Sequence, residues 1–275
     1  MSTKLLSVEH EDWAGAGRLV APLRHALPGL VLDVVRPYRG DVLPDDARAA
    51  GYQGLIVLGG TMGAWDDALV PWLAATRALL RRAVETDLPT LAICLGCELL
   101  AAATGGQVRR GGAGLEVGVC DVELLPAARD DALLGALAGQ RPAAGPGGAP
   151  GFRSSQWHSD AVVELPPGAV LLATGRQYPH QAFRLGRFAW GVQYHPEVTL
   201  ADWAAWCEEG TTELRAAGRD RHGERAAAQA ADGDLERLAE AHAVAFAAVV
   251  AGGTGSDVAE PRTTELTTSE RAGLP

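Results

Sequence analysis

The first hundred residues alternate short apolar runs with amphipathic stretches, and few folds accept that order. "KLLSVE" (4–9) reads as a strand, "AGAGRLVAPLRHAL" (14–27) as a helix, "LVLDVV" (30–35) as a second strand and "GLIVLGG" (54–60) as a third. Segment 69–87 sets Leu69, Leu73, Thr76, Leu80 and Val84 at helical spacing, with Arg77, Arg81 and Arg82 elsewhere on the cylinder. Asp66 and Asp67 stand just before it, where they are expected to cap the helix. "TLAIC" (90–94) lacks polar alternation and reads as a fully buried strand. Strand and helix in turn predict a parallel sheet covered on both faces, with sites at the carboxyl ends of its strands.

Beyond Gly105 the pattern becomes strand-like: "LEVGVCDVELL" (115–125), "AVVELP" (161–166), "AVLLAT" (169–174), "QAFRLG" (181–186) and "FAWGVQY" (188–194). These extend the sheet or form a second, smaller one. "GQRPAAGPGGAPG" (139–151) is a low-complexity loop, too weakly hydrophobic to pack. From Thr199 the reading is helical to about Val250, interrupted near "AAGRDRHGE". We therefore expect one domain over residues 1–252, with a helical extension from about 200, and a disordered tail over 253–275. The late "LERLAEAHAVAFAAVV" can dock on the core or form a subunit interface.

Composition narrows the function class. With 47 % apolar residues in 275, a full core is available. A formal charge of -10 argues against a nucleic-acid partner, because phosphate backbones are bound by basic faces. No uninterrupted apolar run is long enough to span a membrane, and the N-terminal "MSTKLLSVEHEDW" turns acidic before a signal-peptide core can form. The expected compartment is the cytoplasm. Four cysteines, Cys94, Cys97, Cys120 and Cys207, are too sparse for a disulfide scaffold.

Chemistry concentrates in "TLAICLGCELL" (90–100). A nucleophile on a sharp strand-to-helix turn needs small neighbours, and Ala92, Cys94 and Gly96 fill that pattern with cysteine as the nucleophile. The helix starting after Cys94 aims free N–H groups at the sulfur, which is expected to favour thiolate, and the Leu95 N–H is one oxyanion donor. "GVQYHPEV" (191–198) then supplies a base, His195, with Glu197 near enough to hold its tautomer. A second oxyanion donor is expected from the turn in "VLGGTMGAW" (57–65), where Gly59 and Gly60 let the main chain approach; the Gly60 N–H is the choice.

These residues resemble the class I (triad-type) glutamine amidotransferases, whose members carry "GICLGHQ", "GVQFHPE" and "GGP" where this chain has "AICLGCE", "GVQYHPE" and "GGT". Further stretches, "PWLAATRALLRRAVE", "ATGGQVRRG", "LEVG", "WHSD" and "HQAFRLGRFAWGVQYHPEVT", are similar to free-standing members like the glutaminase half of GMP synthase. The resemblance covers roughly residues 4–205. It implies a flavodoxin-like three-layer α/β sandwich with a mainly parallel central sheet, to which C-terminal helices are added. It also implies hydrolysis of the glutamine side-chain amide through a cysteinyl thioester, with Cys94, His195 and Glu197 as triad and no cofactor or metal. "WHSD" matches the stretch that holds the amino acid's α-groups, so Ser159 and Asp160 become substrate contacts, with Gly59 beside them in the site. Glu98 stands where relatives usually carry a glutamine that touches substrate. A carboxylate there cannot donate the hydrogen bond an amide gives, and glutamate at this position in relatives that cleave γ-glutamyl bonds points to another γ-glutamyl substrate.

Two enzymatic readings stay open. In one, ammonia passes to a separate ATP-dependent synthetase subunit, since the chain has no "GxxxxGK[ST]" phosphate loop of its own. In the other, the chain is a stand-alone γ-glutamyl hydrolase or peptidase. A non-catalytic binding module is the third reading, opposed by the intact triad. A redox pair of Cys94 and Cys97, or a zinc site, would leave "YHPE" and the Gly60 turn unexplained, and Cys97 reads as a packed thiol. His10, His25, His222 and His242 read as surface or internally satisfied residues, while His158 and His180 are ambiguous.

Overall fold

The computed structural model describes residues 2–138 and 150–252. The expected loop at 139–151 lies almost wholly outside them, as does the expected tail at 253–275. In chain order the strands and α-helices are β1 (Lys4–Val8), α1 (Val20–Ala26), β2 (Val31–Val35), β3 (Gly54–Val57), α2 (Trp72–Glu85), β4 (Thr90–Ile93), α3 (Leu95–Ala103), β5 (Gln107–Arg110), β6 (Glu116–Leu124), β7 (Gly151–His158), β8 (Asp160–Glu164), β9 (Val170–Gly175), β10 (Ala182–Leu185), β11 (Ala189–Val192), α4 (Leu200–Glu209), α5 (Thr211–Ala216) and α6 (Arg221–Gly252). Nine strands form one sheet in the order β2-β1-β3-β4-β11-β10-β9-β6-β7. From β2 to β11 neighbours run parallel, and from β11 to β7 they run antiparallel. β5 and β8 pair separately as a two-stranded ribbon.

Period-2 alternation sorts the sheet's side chains into two cores. Leu5, Ile56, Leu91, Ile93, Trp190 and Val192 point to the face covered by α1 and α6. Leu6, Leu55, Val57 and Ala92 point to the face covered by α2 and α3. The result is a three-layer α/β sandwich. The C-terminal helix docks on the core: Leu238, Ala243, Phe246 and Val250 of α6 are buried in the first cluster. Among the described residues, no helix is long and apolar enough to cross a membrane.

The capping expectation fails locally. α2 begins after Pro71 with no side-chain cap. Asp66 instead accepts the Gly63 N–H at 2.7 Å, closing the turn, and Asp67 pairs with Arg77 inside the helix. The intervening segment through Pro71 separates both carboxylates from the helix's free N–H groups.

Candidate active site

The β4–α3 turn presents Cys94 with φ 51° and ψ -110°, a strained conformation for a residue with a Cβ. The turn is tight enough that a Cβ on Gly96 would collide with the Val57 carbonyl of β3. That explains the glycine two residues past the cysteine. Gly59 ends the neighbouring strand's loop, and a Cβ there would lie 3.5 Å from Cys94 Cβ and 3.2 Å from His195 Cε1. One glycine therefore lies close against both the cysteine and the imidazole. A Cβ on Gly60 would sit 2.6 Å from Met62 Sδ, 3.0 Å from Leu95 Cδ2 and 3.1 Å from His10 Cβ, so both turn positions leave little room for a side chain.

His195 lies three residues past the end of β11, and its N–H donates to the Ser155 carbonyl of β7 at 2.9 Å. Its Nδ1 lies 2.7 Å from Glu197 Oε1, both side chains being buried. A carboxylate there fixes the proton on Nδ1 and leaves Nε2 with a lone pair; Nε2 is buried and has no hydrogen-bond partner. Trp206 of α4 meets the imidazole edge-on, with ring centroids 4.9 Å apart. Glu197 is itself held from behind, since its carbonyl accepts the Arg18 N–H at 2.8 Å and the Arg18 guanidinium donates to the Val198 carbonyl at 2.8 Å.

Electrostatics correct one expectation. Burial pushes the Cys94 thiol well above its usual range, and the Glu98 and Glu197 carboxyls push it further, while the Leu95 N–H acts in the opposite direction. The resting group is a neutral thiol, not the thiolate that the helix terminus alone suggests. Desolvation outweighs the dipole because the sulfur has almost no access to water. Glu98, also buried, is raised to about 8 mainly by desolvation, against a hydrogen bond of 3.1 Å from Gln193 Nε2. At neutral pH it is a carboxylic acid with an O–H to donate, so the objection to glutamate at this position falls away.

Cys94, Glu98, Gly59, Gly60, Ser159, Asp160, His195 and Glu197 all border one cavity of about 990 Å³. Leu95 is not among the residues that border it, and its side chain is core. Ser159 is the one residue between β7 and β8, and Asp160 opens β8. The Ser159 carbonyl accepts the Gly111 N–H at 2.7 Å, and Asp160 pairs with Arg110 at 3.0 Å. Behind this turn, His158 places Nδ1 2.8 Å from the Asp160 carbonyl and Nε2 2.9 Å from the Glu116 carboxyl, tying the turn to β6. Gln181 also donates to Glu116. Sequence reasoning gave no role to Arg110, Glu116, Arg18 or Trp206. The motifs "RRG" and "LEVG" that hold Arg110 and Glu116 were visible, but only strand pairing brings those two to the site, while Arg18 and Trp206 arrive on helical segments.

Other singled-out residues are structural. His180 Nδ1 bonds the Val162 carbonyl at 2.8 Å, and His242 lies between the Tyr194 hydroxyl at 2.9 Å and the Leu238 carbonyl. His10 accepts from Trp72 Nε1 at 3.2 Å, while His25 and His222 are exposed. All four cysteines are free, and Cys97 is buried on α3.

The family model of class-I glutamine amidotransferases matches residues 29–206. The chain is 28 % identical over 165 residues to gamma-glutamyl peptidase 5 of Arabidopsis thaliana, covering 60 % of this chain and 61 % of that one. It is 38 % identical over 116 residues to a glutamine-hydrolyzing GMP synthase subunit of Natronomonas pharaonis, covering 42 % and 55 % respectively. The matched region thus spans less than two thirds of either relative's length. Among solved structures, a glutamine amidotransferase of Thermotoga maritima superposes with a TM-score of 0.75 at 25 % identity, over 90 % of this chain and 99 % of the other. One from Methylobacillus flagellatus gives 0.74 at 25 % identity, over 90 % and 94 %. With its family match covering well over half its length, the chain belongs to the class-I glutamine amidotransferases.

Proposed function

We propose that residues 1–252 form a cysteine-dependent amidase that hydrolyses a γ-glutamyl amide, glutamine being the simplest, through a thioester on Cys94. The observation that carries this reading is the free, buried Nε2 of His195 beside the strained Cys94 elbow, with Nδ1 tied to Glu197. As Cys94 Sγ attacks the amide carbon, its proton passes to His195 Nε2, which suits a thiol that is neutral at rest. The oxyanion forms against the Gly60 and Leu95 N–H groups. Collapse expels ammonia or an amine that takes the proton back from His195. Water then attacks the thioester with His195 again as base, releasing glutamate and the thiol. Glu197 holds the imidazole throughout. Asp160 suits the substrate's α-ammonium and Arg110 its α-carboxylate, with Ser159 between them, while the Glu98 acid donates where an amide otherwise would.

In the amidotransferase form of this reading, ammonia passes to a separate ATP-dependent synthetase, in the cytoplasm. The cavity's size favours a second form, a γ-glutamyl hydrolase that gives its product straight to water. Mass spectrometry of protein quenched with substrate should show a glutamyl adduct on Cys94 that hydroxylamine removes. Cys94→Ser should lower turnover by several orders of magnitude and Cys97→Ser by a few-fold at most. Loss of turnover in the second variant with no adduct on Cys94 would overturn the assignment. Turnover of glutamine only with an added synthetase selects the first form.

A further inference from the structure

Two loops meet at the carboxyl end of the sheet, where the Gly60 turn lies. β1 and β3 are parallel neighbours, and their ladder runs on past both strands, since the Leu58 N–H donates to the Val8 carbonyl at 3.1 Å. The loop after β1 therefore lies beside the 59–61 turn that follows β3. Successive residues of that loop make the contact. His10 is buried, its Cβ is 3.1 Å from where a Gly60 Cβ would stand, and its ring accepts from Trp72 Nε1 at 3.2 Å. Glu11, also buried, turns Oε1 onto Thr61 and accepts both the Thr61 N–H, at 2.6 Å, and the Thr61 hydroxyl.

A carboxyl group buried against a turn needs a reason. Its Oε2 has no hydrogen-bond partner among the described residues, an arrangement that costs stability and that core packing does not require. Oε2 has no open surface and Oε1 is taken up by Thr61, so the carboxyl bears on the reaction through that residue. The turn itself explains the hold. Gly59 and Gly60 carry no Cβ to restrict their dihedrals, so the peptide planes around them can swing. Fixing the Thr61 N–H fixes the plane that follows Gly60, and with it the pivot from which the Gly60 N–H points. An oxyanion donor stabilises charge only if it is in place before the charge develops.

We infer that Glu11 is a positioning residue for the oxyanion turn: through Thr61 it holds the Gly60 N–H in place as a donor. The inference rests on the thioester reading above. As the bond from Cys94 Sγ to the amide carbon forms, the carbonyl π pair moves to oxygen and the thiol proton passes to His195 Nε2. The held N–H meets the charge on that oxygen, and Glu11 neither gives nor takes a proton. Its loss therefore raises the barrier to the tetrahedral state and leaves ground-state binding of the glutamyl group, at Ser159, Asp160 and Arg110, as it was.

Cys94 acylation by L-γ-glutamyl-p-nitroanilide and by glutamine, followed by mass spectrometry in single turnover, tests this. In Glu11→Met, which keeps the length but has no strong acceptor, the saturating acylation rate should fall about 10- to 100-fold, the range for a misplaced or lost oxyanion donor. The half-saturating concentration should change by less than about twofold. Glu11→Gln, whose amide oxygen accepts the same two groups, should stay within about threefold of the native rate. Alkylation of Cys94 by iodoacetamide is a displacement that forms no oxyanion, and it should run at the native rate in every variant. Alkylation slowed as much as acylation would make Glu11 a general prop and overturn the inference. Native acylation in Glu11→Met, or a loss in Glu11→Gln as large as in Glu11→Met, would do the same. Should Glu11→Met fail to fold, Thr61→Val removes only the hydroxyl contact and should slow acylation by about three- to tenfold, the scale of one hydrogen bond, with alkylation unchanged. An acylation rate unaffected by that change overturns the inference. Absence of any adduct on Cys94 of the native protein, with either compound, sinks the thioester reading and the inference together; with a native adduct present, the other adverse outcomes sink the inference alone.

Discussion

Glu98 illustrates how burial sets the chemistry of a single residue. It lies one helical turn beyond Cys94, and desolvation raises its carboxyl to about 8. Below that value it is neutral and can donate a hydrogen bond to substrate. Above it the group becomes an acceptor and adds negative charge that opposes thiolate formation at Cys94. Both effects act in one direction, so kcat/KM should fall as pH rises through about 8. Glu98→Gln keeps a donor at every pH and removes that charge. At pH 9, where only about one tenth of Glu98 is protonated, the variant should outperform the native protein by about tenfold, read from pH profiles of γ-glutamyl amide hydrolysis. An identical alkaline limb in both proteins would show that Glu98 does not face substrate. The elbow, base and Gly-rich turn were legible because each is a short contiguous motif. The protonation state of Glu98 was not, because it depends on Gln193 and on a water-free surround that only the folded chain assembles.

Element placement explains why the C-terminal helix matters to a site it does not line. α6 carries Asp232 and Glu236, which hold the Arg18 guanidinium while the same side chain donates to the Val198 carbonyl. Tyr194, next to His195, donates its hydroxyl to His242 of α6. The helix thus braces both flanks of the 195–197 segment. Arg18→Ala should destabilise the fold by about 1–3 kcal/mol, the cost of leaving a mostly buried carbonyl and carboxylate without their donor. It should also lower kcat more than it raises KM, because Glu197 loosens while the glutamyl contacts stay intact. Denaturant melts and steady-state kinetics check the two parts; a lost melt with unchanged kcat would make α6 a scaffold only. Strand-helix alternation made the parallel half of the sheet readable, and the apolar face of α6 signalled a docked or paired helix. β5 (QVRR) and β7 (GFRSSQWH) were missed, since exposed arginines in one and mixed polar residues in the other obscure period-2 patterning. Their pairing with β8 and β6 is nonlocal, so no short window contains the signal.

At the scale of the whole molecule, three buried titratable groups shape stability against pH, and they oppose one another. His10 and His242 are held neutral by burial, each lowered to about 4 from an ordinary 6.5, whereas Glu98 is raised from 4.5 to about 8. Between pH 8 and 6.5 the native state binds a proton at Glu98 that the unfolded chain does not, so acidification stabilises by about 1.4 kcal/mol per pH unit. From 6.5 down to about 4.5 the unfolded chain gains two protons on histidine while the native state keeps its single advantage at Glu98. Two outweigh one, so stability now falls with acidification, by less than the same slope where Glu9, raised by burial, takes up its own proton. Asp12, Asp46 and Asp220 have lowered values, Asp12 and Asp220 being exposed and Asp46 half-buried, and they act only below this window. Unfolding free energy measured in urea at pH 5, 6.5 and 8.5 should therefore peak near 6.5. Glu98→Gln should flatten the alkaline side alone. His242→Gln, which can still accept from Tyr194 and donate to Leu238, should cancel the acid-side slope, because one histidine then balances one glutamate. A maximum that stays in place and an acid slope that persists in the His242 variant would mean that these buried groups do not control the fold's pH response.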